Sequence, residues 1–440
     1  MRKIGFNLSW TQTDNRFVSR AALDETTGVQ TPAIDGDLQQ RGFRAPGTAW
    51  MVSGSLIGAV GAYLFQVVGG RALGSVEFAP VSILWTLLFI LATVVLVPVE
   101  QYVTREASLG RRVLRHDLLP LSFAVGLTAA AGATFVALTL DRLFLSEPLF
   151  VVQAAVMLVG YGMLFVGKGI LAGHRRFAGV GWILFGESML RLLAAVALLA
   201  VAASALSLGW AMVLAPVAAL ALRFWRVDRA GRPDGGSGDG SAGGFLRSYV
   251  AGSAASQLLL GGAPLGVAAL GGGPATVSIV FVTFTLFRAP LTLIYALQGR
   301  LLPMLVRMVE ADDHGGLRRF GVWILGIGSV LTVVGAVVGW LIGPAVVELL
   351  FSAEFRPDPL VAMLAAGGVV AASATQIAGQ VLVAHARTGR LALAWITGLG
   401  VALAVLMVGA GTAAETVALG FGFGAVAALA MVALQSLRTA

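Results

Sequence analysis

Four charged residues lie inside stretches of sequence that are otherwise apolar. They are Lys168, Glu187, Arg191 and Arg288. A charged side chain at bilayer depth costs about 2.5 to 3.5 kcal/mol on insertion scales, so each one needs a partner, water or a functional reason. Glu187 and Arg191 are four residues apart, which places them on one face of a helix and predicts an ion pair. The pair is either a structural bridge or, through Glu187, a site that couples to an ion.

Arg288 has no acidic residue within one helical turn, and Phe284, Phe287 and Pro290 are close to it in the chain. We therefore expect its side chain to face the interior of a helix bundle. There it could meet Glu187, a backbone carbonyl or an anionic ligand. Lys168 lies near the end of an apolar run, where it could also extend to the membrane surface.

Uncharged polar side chains recur at similar depth, at Gln257, Gln376 and Gln380. Glutamines in membrane helices commonly hydrogen-bond to neighbouring helices. Gln376 and Gln380 share a helical face, so they could equally line a cavity. The candidate ligand-binding residues are therefore Arg288, Arg191, Lys168, Gln257, Gln376 and Gln380.

The elements that carry these residues are predicted to be transmembrane helices. Of the 440 residues, 58% are hydrophobic and only 12% are charged, and the mean hydropathy is +0.88. Ordinary soluble domains contain about a quarter charged residues, so a typical soluble enzyme is excluded. About twelve apolar runs have the length of about twenty residues that crosses a bilayer. The prediction is an all-α, polytopic membrane protein.

Several chemical functions are disfavoured by what the sequence lacks. It contains no cysteine, and its four histidines have no His-x-x-x-His spacing, so we expect no metal site and no cofactor. The net charge of +8 comes from residues scattered over short loops, which argues against nucleic acid as a partner. There is no nucleotide-binding motif for an ATP-driven pump.

Basic residues alternate from loop to loop. Every second loop is rich in arginine, whereas the loops between them contain only Arg71, Arg142 and Arg356. Lys and Arg next to a span are retained on the cytoplasmic side, so the arginine-rich loops and both termini are expected in the cytoplasm. Residues 1–46 are polar and are expected to form a mostly disordered cytoplasmic tail.

The longest internal loop, residues 227–244, has the Gly- and Ser-rich composition of a flexible linker. It separates residues 47–226 from residues 245–440, with about six spans in each half. Six spans return the chain to the same side of the membrane. The halves are therefore expected to form two parallel lobes around a central cavity.

Two short motifs resemble those of a known family. Arg71-Ala-Leu-Gly74 followed by Glu77-Phe78 resembles the Arg-x-Leu-Gly turn after the first span of bacterial polysaccharide flippases. The segment Gly169-Ile-Leu-Ala-Gly173-His-Arg-Arg-Phe177 resembles the short cytoplasmic loop after their fourth span. These flippases belong to the multidrug, oligosaccharidyl-lipid and polysaccharide flippase superfamily.

The resemblance implies a V-shaped bundle of two six-helix lobes and a non-enzymatic function. Such a protein carries an undecaprenyl-diphosphate-linked oligosaccharide from the inner to the outer leaflet of the bacterial plasma membrane. Arg288, Arg191 and Lys168 would then bind the diphosphate, because arginine offers planar donors to phosphate oxygens. Partners would be membrane lipid, the lipid-linked oligosaccharide, and glycosyltransferases or a polymerase of the same pathway.

Other classes of membrane protein compete with this interpretation. An ion-coupled multidrug antiporter of the same superfamily should carry unpaired acidic residues in its spans. Here Glu187 is the single deep carboxylate and has a cationic neighbour, which favours an anionic substrate. A major-facilitator-type solute transporter also has about twelve spans in two halves. A glycan polymerase generally needs a large external loop, and no predicted outer loop is long.

Overall fold

The computed structural model describes residues 46–229, 253–385, 387–409 and 411–437. Within these ranges the regular elements are all helical. Among the described residues, ten helices are long and apolar enough to cross a membrane. The prediction of an all-α polytopic architecture is confirmed. The predicted tail and most of the predicted linker lie outside the described residues.

The first lobe contains ten α-helices. A π-helical turn, Ala92–Leu96, joins α2 to α3, and a 3-10 segment, Ala215–Leu222, joins α9 to α10. The α-helices are α1 Pro46–Glu77, α2 Ala79–Leu91, α3 Val97–Ser108, α4 Val113–His116, α5 Leu118–Leu138, α6 Leu140–Leu143, α7 Leu149–Gly173, α8 Phe177–Val201, α9 Ala205–Leu214 and α10 Phe224–Asp228.

The second lobe begins with a helical segment at residues 253–261. A 3-10 turn, Ala353–Phe355, connects its longest helix to the next one. Its α-helices are α11 Ala263–Ala269, α12 Pro274–Phe287, α13 Ala289–Glu310, α14 His314–Leu350, α15 Pro359–Ala384, α16 Thr388–Val408 and α17 Ala413–Leu437.

Both lobes interrupt their second long helix. In the first lobe, α2 passes through the π-helical turn into α3, with Pro98 in the first turn of α3. In the second lobe, the sequence predicts one continuous span, Thr276–Gln298, and this is wrong. The helix ends at Phe287 and α13 begins at Ala289, with Pro290 in its first turn, because proline has no N–H to continue the helical ladder.

In the described part of the chain, the contacts between the lobes lie towards one end of the bundle. Contacts between them involve α1 and α2 of the first lobe with α11, α12 and the 3-10 turn of the second. The continuations α3 and α13 pack chiefly within their own lobes in the described part of the chain. We call the end where the lobes meet the Arg71 end. The opposite, arginine-rich end is where α3 runs into the loop that contains Arg111 and Arg112.

Candidate functional site

A cavity of about 210 Å³ lies between the lobes. The polar and aromatic side chains that line it are Tyr63 and Gln66 of α1, Trp85 and Phe89 of α2, and Thr285 and Arg288 of the second lobe. Phe89 lies about ten residues into α2, which is about 15 Å along a helix. That distance is about half the thickness of the hydrocarbon core, so the cavity lies near the middle of the membrane.

Arg288 lies at the break between α12 and α13, and its side chain reaches a second break, the one that precedes α11. Its Nη1 donates to the carbonyl of Leu260 at 2.6 Å, and its Nη2 donates to Oγ1 of Thr285 at 3.4 Å. The carbonyl of Leu260 needs a donor because the residue four positions later, Pro264, has no N–H. The guanidinium also lies over the ring of Phe89 in the other lobe, 4.8 Å from its centre. Arg288 therefore bonds to the backbone of the second lobe, contacts the first lobe through Phe89, and forms part of the cavity wall.

Arg191 lies in the interior of the first lobe and is only 3% exposed. Its Nη1 donates to Oε1 of Glu187 at 2.5 Å, which confirms the predicted ion pair, and to the hydroxyl oxygen of Tyr161 at 2.8 Å. Tyr161 and Ser188 both donate to the Glu187 carboxylate. The two charges therefore neutralise each other, although Nε of Arg191 is buried without a hydrogen-bond partner among the described residues.

The structure separates Arg191 from the cavity by an aromatic ring. The guanidinium carbon lies 4.6 Å from the ring centre of Trp85, and Trp85 lines the cavity. Arg191 itself is not among the described residues that line it. A ligand in the cavity would thus meet the charge of Arg191 across an aromatic ring, without direct contact.

The other predicted site residues lie elsewhere. Nζ of Lys168 contacts Oε2 of Glu100 at 2.8 Å and lies over the ring of Phe165, so it bridges α7 and α3 within the first lobe. Nε2 of Gln380 donates to the carbonyl of Gln376 at 3.4 Å, within α15. Oε1 of Gln257 is buried and has no hydrogen-bond partner among the described residues. The described residues that line the cavity include none of the four predicted residues Lys168, Gln257, Gln376 and Gln380.

Most of the residues that line the cavity are not predicted by the sequence. Tyr63, Trp85, Phe89 and Thr285 are neutral residues of types that are common in membrane helices, and nothing local marks them. Tyr63 joins the lobes, because its hydroxyl donates to the carbonyl of Thr285 at 3.1 Å. Gln66 could have been predicted, because it is an amide inside an apolar run, as are Gln257, Gln376 and Gln380.

Reciprocal polar contacts close the Arg71 end. Arg71 of α1 donates from Nε to the carbonyl of Leu350 at 2.7 Å and from Nη2 to the carbonyl of Leu349. Both carbonyls belong to the C-terminal end of α14, which is the negative end of the helix dipole. In return, Oε2 of Glu354 accepts from the backbone N–H of Ser75 at 3.2 Å. We call these five residues the Arg71 latch.

The remainder of the first motif also contacts the second lobe. Gly74 adopts a left-handed conformation, with φ of 74°, and a Cβ there would lie 2.7 Å from Oε2 of Glu354. The fully buried ring of Phe78 packs against Phe281 and Phe355, with centroids 6.2 and 6.1 Å away. The motif from Arg71 to Phe78 therefore forms the contact that holds the lobes together.

The second motif packs helices within the first lobe. A Cβ on Gly169 would lie 2.8 Å from the carbonyl of Glu100, and one on Gly173 would lie 2.7 Å from the carbonyl of Thr104. Glycine at these two positions lets α7 approach the backbone of α3 closely. This motif therefore supports the helix pair that also carries the Lys168–Glu100 contact.

A larger cavity of about 370 Å³ lies on the outside of the second lobe, between α14, α15 and α17. Its polar side-chain groups among the described residues are the hydroxyl of Thr332, which donates to the carbonyl of Gly328, and the indole N–H of Trp340. Such a groove suits lipid tails and has few groups to orient a polar ligand. No cluster of metal-ligating side chains occurs in the described ranges.

Comparison with known proteins gives a fold and no sequence family. No family model and no curated protein sequence matches the chain. Solved structures do match. An inward-facing multidrug resistance MATE family transporter of the MOP superfamily is 14% identical, covers 86% of this chain and 94% of its own, and superposes with a TM-score of 0.62.

An outward-facing MATE family transporter of the same superfamily is 16% identical, with 91% of this chain and 96% of that chain covered and a TM-score of 0.52. The Vibrio cholerae MATE transporter VcmN in its bent form is also 16% identical, with 92% and 98% covered and a TM-score of 0.53. These likenesses extend over nearly the whole chain. At these identities they show the fold alone and leave the flippase family untested. The chain has the two-lobed fold of MATE transporters.

Proposed function

We propose that this chain is an alternating-access membrane transporter that carries its substrate through the cavity between the lobes. The observation that carries the proposal is the position of that cavity. The lobes are joined on one side of it by the Arg71 latch, and on the other side α3 and α13 contact chiefly their own lobes in the described part of the chain. A mechanism in which two lobes rock about a central site needs a state of this kind.

The orientation of this state follows from the loops. If the arginine-rich end faces the cytoplasm, as the arginine distribution indicates, the cavity is closed towards the outside and the lobes separate towards the inside. The higher TM-score with the inward-facing MATE structure, 0.62 against 0.52 for the outward-facing one, supports this assignment. Opening of the Arg71 latch would then release the substrate outward.

For the substrate, the likeness to structures described as multidrug resistance transporters favours a multidrug exporter. A flippase for undecaprenyl-diphosphate-linked oligosaccharides is the second candidate. Its support is the resemblance of the Arg71 motif and the presence of Arg288 in the cavity wall, which suits an anionic head group. A major-facilitator-type transporter is disfavoured by the MATE fold.

The proposal is tested by locking the latch. The chain has no cysteine, so Ser75→Cys with Glu354→Cys, bridged by a short reducible thiol-specific reagent, gives one defined cross-link between the lobes. Spin labels on Leu109 and Asp312, in loops at the arginine-rich end of the two lobes, report the lobe separation without any assumption about substrate. We expect two distance populations in the free protein and only the longer one after cross-linking.

Transport is measured alongside, as ethidium efflux and as translocation of a fluorescent lipid-diphosphate disaccharide in proteoliposomes. Cross-linking should stop whichever activity the protein has, and reductant should restore it. The matched control is Glu348→Cys with Arg356→Cys, a bonded pair within the second lobe. A single, unchanged distance distribution together with full transport by the cross-linked protein would refute alternating access through this cavity.

A further inference from the structure

We propose that Gln66 and Arg288 select the ligand of the central cavity. They favour a neutral or anionic ring that carries hydroxyl or amide hydrogen-bond donors, and they exclude permanent organic cations. This inference rests on the proposed function, because it assigns the substrate class of the same cavity, and it favours the anionic candidate over the export of cationic drugs such as ethidium. Gln66 has no other role in the structure described above.

Gln66 supplies a hydrogen-bond acceptor without a partner. It lies on α1 in the cavity wall and is 2% exposed. Its Oε1 is buried and has no hydrogen-bond partner among the described residues. Buried polar atoms in proteins nearly always have a partner. A half-turn of the amide exchanges its oxygen and nitrogen, so the group can present its oxygen to a donor inside the cavity.

The aromatic rings of the cavity wall already contact cationic side chains of the protein. An aromatic face attracts a cation through its quadrupole, and this is how many sites hold quaternary ammonium groups. Here the ring of Trp85 lies 4.6 Å from the guanidinium of Arg191, and the ring of Phe89 lies 4.8 Å from that of Arg288. A cationic ligand would share these rings with guanidinium groups and would be repelled by them.

The charged side chain in the cavity wall is also positive. Among the described residues that line it, Arg288 is the charged one. The neighbouring charge of Arg191 is paired with Glu187, so that pair adds little net charge. The walls therefore combine a cation, an amide and aromatic rings, a set that suits a hydroxylated ring or an anionic group better than an ammonium group.

The volume limits the size of the bound group. About 210 Å³ is below the roughly 300 to 1,000 Å³ of pockets that enclose drug-sized ligands. A single six-membered ring with its substituents fits this space, whereas a whole oligosaccharide does not. Small single-ring probes are therefore the appropriate test.

Two matched pairs of probes separate the hydrogen-bond contribution from the charge contribution. Methyl β-glucopyranoside and its tetra-O-methyl derivative share a ring and acceptors, but only the first has donors. Benzylsulfonate and benzyltrimethylammonium share the benzyl group and differ in charge. Dissociation constants are measured by ligand-observed NMR with the full-length protein in lipid nanodiscs, for the wild type, Gln66→Leu and Arg288→Met.

We expect the wild type to bind the glucoside about tenfold more tightly than its methylated derivative, and benzylsulfonate more tightly than benzyltrimethylammonium. Gln66→Leu should lower the first ratio about fivefold, the size of one lost hydrogen bond, and leave the second unchanged. Arg288→Met should remove the charge preference, and Arg288→Lys should retain it. Gln66→Met, which keeps an unbranched side chain, replaces Gln66→Leu if that variant does not fold.

Gln435→Leu is the matched control, because Gln435 also has a buried, unpartnered Oε1 within the described chain but does not line the cavity. The proposal is overturned if benzyltrimethylammonium binds the wild type as tightly as benzylsulfonate, if the Gln66 variants keep the wild-type glucoside ratio, or if no probe binds. A soluble glycoside and a lipid-linked sugar offer the same hydroxyls. Competition by a lipid-linked glucose placed in the nanodisc identifies the source, and displacement by either supports the proposal.

The spin-label distances separate failure of this inference from failure of the proposed function. Two distance populations together with a preference for the cation would refute the proposed substrate class but not the proposed transport function. A single distance population would refute the proposed transport function, whatever the dissociation constants of the probes are.

Discussion

The two buried arginines of this protein differ in what surrounds them. Arg191 lies within the first lobe and meets a carboxylate, a tyrosine and a serine, all contributed by its own helix and the neighbouring α7. Arg288 lies at a helix break in the second lobe, where it meets a backbone carbonyl and a threonine hydroxyl and forms part of the cavity wall. The same residue type stabilises a lobe in one case and is placed to contact a ligand in the other.

This difference shows how a membrane protein can use an arginine without the full cost of burial. A charge inside a lobe requires a counter-charge, because hydrocarbon offers no solvation. At a broken helix, backbone carbonyls that lack their helical donors can accept from the guanidinium instead. Arg288 donates to the carbonyl of Leu260, which Pro264 leaves without a helical donor. The helix break before α11 and the charge of Arg288 therefore stabilise each other.

The largest effect should come from breaking the pair in the first lobe. Arg191→Ala leaves Glu187 buried without its counter-charge, and removal of one member of a buried ion pair typically costs about 3 to 5 kcal/mol. We expect little folded protein by fluorescence-detected size-exclusion chromatography. The double variant with Glu187→Ala should recover part of the loss. Normal folding of Arg191→Ala with loss of transport alone would mean that Arg191 acts on the substrate.

Arg288→Ala should separate transport from folding. We expect the variant to reach the membrane in folded form and to lose at least about tenfold in transport, because the cavity loses its charged group. Arg288→Lys, which keeps the charge, is the control and should retain part of the activity. Wild-type transport by Arg288→Ala would remove the basis of the comparison between the two arginines.

Arg71→Ala should weaken the latch by a smaller amount. The side chain is exposed, so the loss of its hydrogen bonds to the end of α14 is expected to cost about 1 kcal/mol. That corresponds to about a fivefold shift in the ratio of the two lobe arrangements, towards the state open at the Arg71 end. The spin-label distances described above measure it. Arg356→Ala, which breaks a pair within one lobe, should leave the ratio unchanged.

The smallest effect is expected for Glu187→Gln. The amide oxygen can still accept from Tyr161 and Ser188, so the network loses charge but keeps most of its geometry. If Glu187 is structural, transport should respond to collapse of the proton gradient as it does in the wild type. A changed response, measured in everted vesicles, would instead assign ion coupling to Glu187.

Much of the fold could be predicted from the sequence. Hydrophobic runs mark membrane helices because the bilayer requires apolar side chains at every exposed depth. The spacing of Glu187 and Arg191 predicted their ion pair because the two residues lie on one helix. Pro290 was visible as well, but a proline alone does not distinguish a kink from a complete break, and Thr276–Gln298 was predicted as one span.

The candidate site was much harder to predict. Lys168 was read as a ligand or a surface residue because its partner, Glu100, is 68 positions away in the chain. The cavity wall combines residues of α1 and α2 with residues near position 288, and mostly neutral side chains form it. Of the three cations that their charge singled out, the structure places Arg288 in the cavity wall, and Arg191 and Lys168 are not among the described residues that line it.

The sequence by itself determined that this protein is a bundle of membrane helices and which charged side chains would be unusual inside it, because both properties depend on the composition of single segments. Only the tertiary structure decided which of those charges meet a protein partner and which line a cavity. Arg288 and Phe89 face each other from different lobes, about two hundred positions apart in the chain, and only the packing of those lobes brings them together.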